Sequence, residues 1–182
     1  SYQRLKDEML DRAEFYILTL LSTLGMLVMV ASASMLTLYL GLELMSLPMY
    51  GLVALNRHSS RSTEAAMKYF VMGAMASGIL LFGIALIYGA TGSIEFNVIA
   101  QQLIEFAQGE NAALSTKLLV FASVFIVVGV VFKVGAAPFH AWVPDVYEGA
   151  PIPVAMFVGA APKIAALVMG ALLLLNAFAN IA

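Results

Sequence analysis

Long apolar runs alternate along this chain with short polar ones, and the apolar runs have the length of membrane helices. A bilayer core takes about 20 apolar residues of helix. Phe15 to Ala33, Leu36 to Leu55 and Ala65 to Ala90 each meet that requirement, as does Val154 to Ala177. A further run starts at Leu118, reaches about Val134 and is then interrupted by Lys-Val-Gly-Ala-Ala-Pro. Between the third and fourth runs, Ser93 to Ser115 is too polar to cross. Its apolar residues Phe96, Ile99, Ala100, Leu103 and Ala107 fall at helical spacing, which predicts a short amphipathic surface helix, with an irregular loop as the alternative. The expected fold is all-α: a polytopic transmembrane bundle of five helices forming one membrane domain over residues 1–182. The spans are about 15–33, 36–55, 65–90, 118–147 (broken near Lys133) and 154–177.

Composition agrees with lipid as the solvent. Of 182 residues, 62% are hydrophobic and 11% charged, against roughly half and a quarter in soluble domains. The net charge of -2 gives no hint of nucleic acid. The absence of cysteine excludes disulfides and thiolate metal sites, and two histidines make a poor metal cage. The first residues, SYQRLKDEMLDRAE, carry charges of both signs and open with Ser, as expected of a piece of a longer chain.

Charge in the connections predicts orientation. With five spans, the N-terminal tail, the Asn56–Glu64 turn and the Asp145–Pro153 turn share a face. It carries Arg4, Lys6, Arg12, Arg57 and Arg61, with Lys68 one turn inside; the other face has Lys117 beside Glu95, Glu105 and Glu110. Lys and Arg favour the cytoplasmic side, so the N-terminal end is expected there.

Three ionisable residues lie deep in the apolar spans: Glu43, Lys133 and Lys163. A charge at the centre of a membrane helix costs at least about 2.5–3.5 kcal/mol, and such residues usually face a bundle interior or mark an ion path. A structural Glu–Lys ion pair joining helices, or snorkelling of the lysines, would be the inert alternative; snorkelling suits Lys68, nearer a helix end. Tyr39, Glu43, Ser46 and Tyr50 form one stripe of the second helix, able to hold hydrogen-bonded water. Pro48, Pro138 and Pro162 each remove an amide donor close to one of the deep charges, which predicts a helix defect beside each. Gly159, Ala166 and Gly170 share the face of Lys163, as a close helix contact needs. Burial disfavours a charged amine and a neighbouring carboxylate favours it, so a lysine balanced between the two can load and release a proton. His140 could carry protons toward Lys133 or hydrogen-bond the broken backbone. Trp142 reads as an interfacial anchor, Asp145 and Glu148 as helix-end or loop charges, and His58 as solvated surface.

The segments YLGLELMSLPMYGLVAL, EAAMKYFVMGAMASGILLFGIALIYGATGS and VFKVGAAPFHAWVPDVYEGAPIPVAMFVGAAPKIAAL closely resemble the subunit N family of bacterial NADH–quinone oxidoreductase, respiratory complex I. The PFHAWVPDVYEGAP stretch is the specific part; related antiporter-like subunits carry a looser Pro-x-x-x-W-x-x-D version. The resemblance implies proton translocation across the bacterial inner membrane, driven by electron transfer from NADH to quinone in other subunits. It makes Glu43 the glutamate of a Glu–Lys pair, Lys133 the lysine at the broken helix and Lys163 the central-axis lysine, while Lys68 matches a further family lysine. It implies one of two inverted five-helix repeats, helices four to eight of fourteen. No cofactor is expected in this chain, with flavin and iron–sulfur clusters in partner subunits. The partners implied are the other membrane subunits, including sister antiporter-like ones, and the bilayer. A subunit of a sodium–proton antiporter or of a membrane-bound hydrogenase, or an inert scaffold, are the alternatives. Direct NADH or quinone binding has no support, since no Gly-rich phosphate loop follows a strand.

Overall fold

The computed structural model describes residues 12–108 and 112–177; the side chains of 106–108, 112–116 and 177 are outside the description. Arg4, Lys6, Glu110 and the side chain of Ala107 therefore lie outside the described residues. The helices are α1 (Ala13–Val30), α2 (Met35–Val53), α3 (Ser60–Thr91), α4 (Phe96–Gln108), α5 (Ala112–Val134), α6 (Trp142–Gly149) and α7 (Ile152–Leu172), the last continued by a π-helical turn, Leu173–Ala177. Five of them are long and apolar enough to cross a membrane: α1, α2, α3, α5 (over Lys117–Val134) and α7 with its extension. The chain is a multi-pass membrane protein.

Local chemistry sets the ends. Ser34 accepts a hydrogen bond from the Thr37 amide and Ser59 one from the Ser62 amide, so both serines cap orphan donors at the starts of α2 and α3. The Ser59 cap starts α3 five residues before the expected span, and the turn after α2 is correspondingly short. At 32 residues, α3 is about 48 Å long against a bilayer core of about 30 Å, so its ends reach past the hydrocarbon. Lys68 sits in that first part of the helix.

The expected break in the fourth span is present. α5 ends at Val134, Gly135 adopts φ 76°, the Ala137–Pro138 peptide is cis, and α6 begins at Trp142. A left-handed φ carries no steric cost at glycine, so Gly135 can turn the chain where a β-carbon would resist. Pro48 and Pro162 behave differently from Pro138. They lie inside helices that continue through them, because the neighbouring helices hold the backbone in place and only one amide donor is lost at each. A visible break therefore accompanies Lys133, and not Glu43 or Lys163.

α1 and α2 pack backbone against backbone. A β-carbon on Gly41 would stand 2.5 Å from the Met29 amide nitrogen and 2.8 Å from its Cα, and Gly25 lies equally close to the Leu44–Met45 backbone. Ser22 donates across the same contact to the Met45 carbonyl at 3.0 Å. Small residues that bring backbones together are how membrane helices gain packing energy. On the face of Lys163 the approach is less close than this: a β-carbon on Gly159 would stand 3.2 Å from the Tyr147 hydroxyl, and one on Gly170 would meet Val130 at an ordinary 3.4 Å.

The polar stretch before α5 does form a helix. α4 buries Phe96, Ile99 and Leu103 in the core of the bundle. Its start is tied to the α1–α2 turn by the Met35 amide donating to the Ile94 carbonyl at 2.8 Å. Its apolar face thus meets protein.

Candidate functional site

The site is built where α2 and the end of α5 meet. Lys133 occupies the last turn of α5, where the helix dipole favours a cation. Its side chain turns inward and is only 6% exposed. Nζ donates to Ser46 Oγ at 2.8 Å, and Ser46 Oγ in turn donates to the Leu42 carbonyl at 2.7 Å. The ammonium also lies 6.0 Å from the centre of the Tyr50 ring. Lys133 therefore docks on Ser46 and Tyr50, the buried half of the stripe expected on α2.

Glu43, one turn along that stripe, is half-buried, and its Oε1 is buried with no hydrogen-bond partner among the described residues. No ion pair within 4.0 Å joins it to Lys133 among the described residues. Serine is the direct contact, and the carboxylate stands off. A close structural ion pair is not what holds these two helices together.

Lys163 occupies a separate station. It is half-buried on α7, and its Nζ lies 5.4 Å from the centre of the Tyr147 ring on α6. It does not share the Ser46 contact with Lys133. Lys68 belongs to a third, more exposed cluster: Nζ is 2.9 Å from Glu64 and 3.2 Å from Asp145, while Arg61 pairs with Glu148 at 2.9 Å. Asp145 and Glu148 are thus interhelical partners that fasten α6 to α3. His140 is exposed beyond the break.

Trp142, expected at the membrane interface, is buried. Its ring stacks on Tyr69 with centroids 4.7 Å apart, and Nε1 donates to the Phe132 carbonyl at 3.1 Å. The indole braces the broken helix one residue from Lys133. Tyr69 also meets Tyr50 edge-on at 4.8 Å, so α3 supports both the lysine's ring and the brace. Tyr69 and Tyr147 carried no charge or spacing signal in the sequence. Nor did Ser77, whose buried hydroxyl has no partner among the described residues. By contrast Thr19, Thr23, Ser46, Thr91 and Ser123 all donate to the carbonyl four residues before.

Among the described residues, no three His, Asp or Glu side chains converge as a metal site would need. What the arrangement offers is proton chemistry: a buried amine on a hydroxyl, with a carboxylate nearby and a second amine on an adjacent helix.

The chain is similar to known membrane proteins. NADH-quinone oxidoreductase subunit N from Thioalkalivibrio sulfidiphilus is 52% identical over 163 residues, which is 90% of this chain and 33% of that protein. Subunit N from Halorhodospira halophila is 54% identical over 165 residues, 91% of this chain and 33% of that protein. The chain therefore spans about a third of the length of these relatives. Among solved structures, respiratory complex I from Thermus thermophilus with bound aureothin contains a chain with 39% identity and a TM-score of 0.73, over 87% of this chain and 33% of that one. The Mrp complex from Dietzia matches at 24% identity with a TM-score of 0.67, covering 85% of this chain and 28% of that one, and shows the shared fold. The family described as NADH:quinone oxidoreductase/Mrp antiporter, TM matches residues 32–182, and the chain belongs to that family of membrane proteins.

Proposed function

We propose that this chain is part of a proton-translocating membrane subunit of a bacterial NADH–quinone oxidoreductase. Protons move by way of Glu43, Lys133 and Lys163 while other subunits pass electrons from NADH to quinone. The observation that carries this is Lys133: an amine buried inside a membrane bundle on the Ser46 hydroxyl, with no ion pair to Glu43 among the described residues. A permanent ion pair would quench such a lysine, whereas a soft contact lets its proton leave. The electrostatic hold of Glu43 rises when that carboxylate is charged and falls when it is neutral, which supplies a means of control.

The protein works in the inner membrane with its Arg-bearing face cytoplasmic, beside sister antiporter-like subunits. Flavin and iron–sulfur centres belong to partners. Lys68 and His140 are peripheral: the first is committed to Glu64 and Asp145, and the second is exposed. A sodium–proton antiporter subunit is less well supported, since identity to subunit N exceeds 50% across nine-tenths of the chain while the Mrp match is 24%.

The test is Lys133→Ala in the intact complex, with proton pumping measured beside NADH oxidation and assembly. Pumping is expected to be lost from an assembled complex, and Lys133→Arg to retain more than Lys133→Ala. Unchanged pumping in Lys133→Ala would overturn the assignment.

A further inference from the structure

Lys163 has no ion-pair partner among the described residues, yet something must orient a half-buried ammonium in a membrane helix. The group facing it is Tyr147, its ring centre 5.4 Å from Nζ, within the roughly 6 Å over which a cation is attracted by an aromatic face. We infer that Tyr147 is a positioning residue for Lys163, holding its ammonium on the ring face.

The placement of Tyr147 is itself fixed on both sides. α6 is only eight residues long, and too short to be stable alone. Its Asp145 and Glu148 are fastened to Lys68 and Arg61 of α3. Gly149 lies directly against Ala65, and a β-carbon on it would come within 2.9 Å of the Arg61 carbonyl oxygen. Trp142 anchors the other end of α6 on Tyr69. On the α7 side, a β-carbon on Gly159 would stand 3.2 Å from the Tyr147 hydroxyl. The glycine one turn before Lys163 thus leaves room for the ring to reach it. The charged residues of the Asp-Val-Tyr-Glu segment grip one helix, and the tyrosine between them faces another.

The inference rests on the proposed proton path, and the experiment separates the two. In the intact complex, Lys163→Ala tests the path. Tyr147→Phe, which keeps the ring face, should pump as the wild type does, and Tyr147→Leu should lower pumping per NADH oxidised by about two- to fivefold, from the strength of an exposed cation–ring contact. Because Tyr147 is 37% exposed, the leucine variant should assemble. Should it not, a series of progressively fluorinated phenylalanines at position 147 weakens the ring face with little change in shape. Pumping that falls with each fluorine is expected, and a flat series overturns the role of Tyr147. If Lys163→Ala abolishes pumping while Tyr147→Leu matches the wild type, the positioning role fails and the path stands. If Lys163→Ala pumps normally, its part in the path fails, and with it any purpose in positioning it.

Discussion

Replacing Ser46 with alanine removes one oxygen atom from a fully buried position and leaves the volume of α2 almost unchanged. That oxygen accepts the Lys133 ammonium at 2.8 Å and belongs to a hydroxyl that is otherwise satisfied by its own helix at Leu42. Losing it costs the lysine its closest polar contact and opens no sizeable cavity. A hydrogen bond to a charged group contributes roughly 1.5–3 kcal/mol, and side-chain bonds between membrane helices about 0.6–2 kcal/mol. The overlap, about 1.5–2 kcal/mol, corresponds to roughly 13- to 30-fold at 1.36 kcal/mol per tenfold. The Oε1 of Glu43, one turn away on α2 and without a hydrogen-bond partner among the described residues, can take the displaced ammonium, and a direct pair there would hold the proton in place. Ser46→Ala in the intact complex should therefore assemble normally and pump protons more slowly by about that factor. The assay is acidification of inverted membrane vesicles, followed with a pH-sensitive dye during NADH oxidation. Pumping within twofold of wild type, in a background where Lys133→Ala is inactive, would refute the idea that the serine governs this lysine.

Two structural predictions accompany it. Gly41→Ala would force a methyl against the Met29 backbone, which cannot yield without separating α1 from α2. Overpacking of this kind costs about 1–3 kcal/mol, and the amount of assembled complex on a native gel should fall; wild-type yield would contradict the close approach. Trp142→Phe removes the donor to the Phe132 carbonyl, which keeps a second donor in the Gly135 amide at 3.0 Å. The cost should stay near 0.5–1.5 kcal/mol and show as faster amide hydrogen exchange around residues 135–141, and unchanged exchange there would mean the indole is no brace.

The sequence by itself determined the five spans, the break after Lys133 and the identity of the deep charges. Those features follow from local quantities: apolar length against bilayer thickness, the conformational demands of Gly135 and Pro138, and the cost of burying a charge. The PFHAWVPDVYEGAP segment also made the family legible. Local rules failed where packing competes with them. Proline at 48 and 162 removes an amide donor, but neighbouring helices keep α2 and α7 continuous, so the defects expected beside Glu43 and Lys163 did not become breaks. Only the tertiary structure decided which side chains meet. Lys133 lies 87 residues from Ser46, and no periodicity relates them. Trp142 looked interfacial because indoles favour that region, yet Tyr69 on another helix gives it a buried stacking partner. The deep charges read as one ordered set in the sequence. Folding divides them into Lys133 on a serine with Glu43 standing off, and Lys163 on a tyrosine, because helix packing, and not depth in the membrane, sets which polar groups can touch.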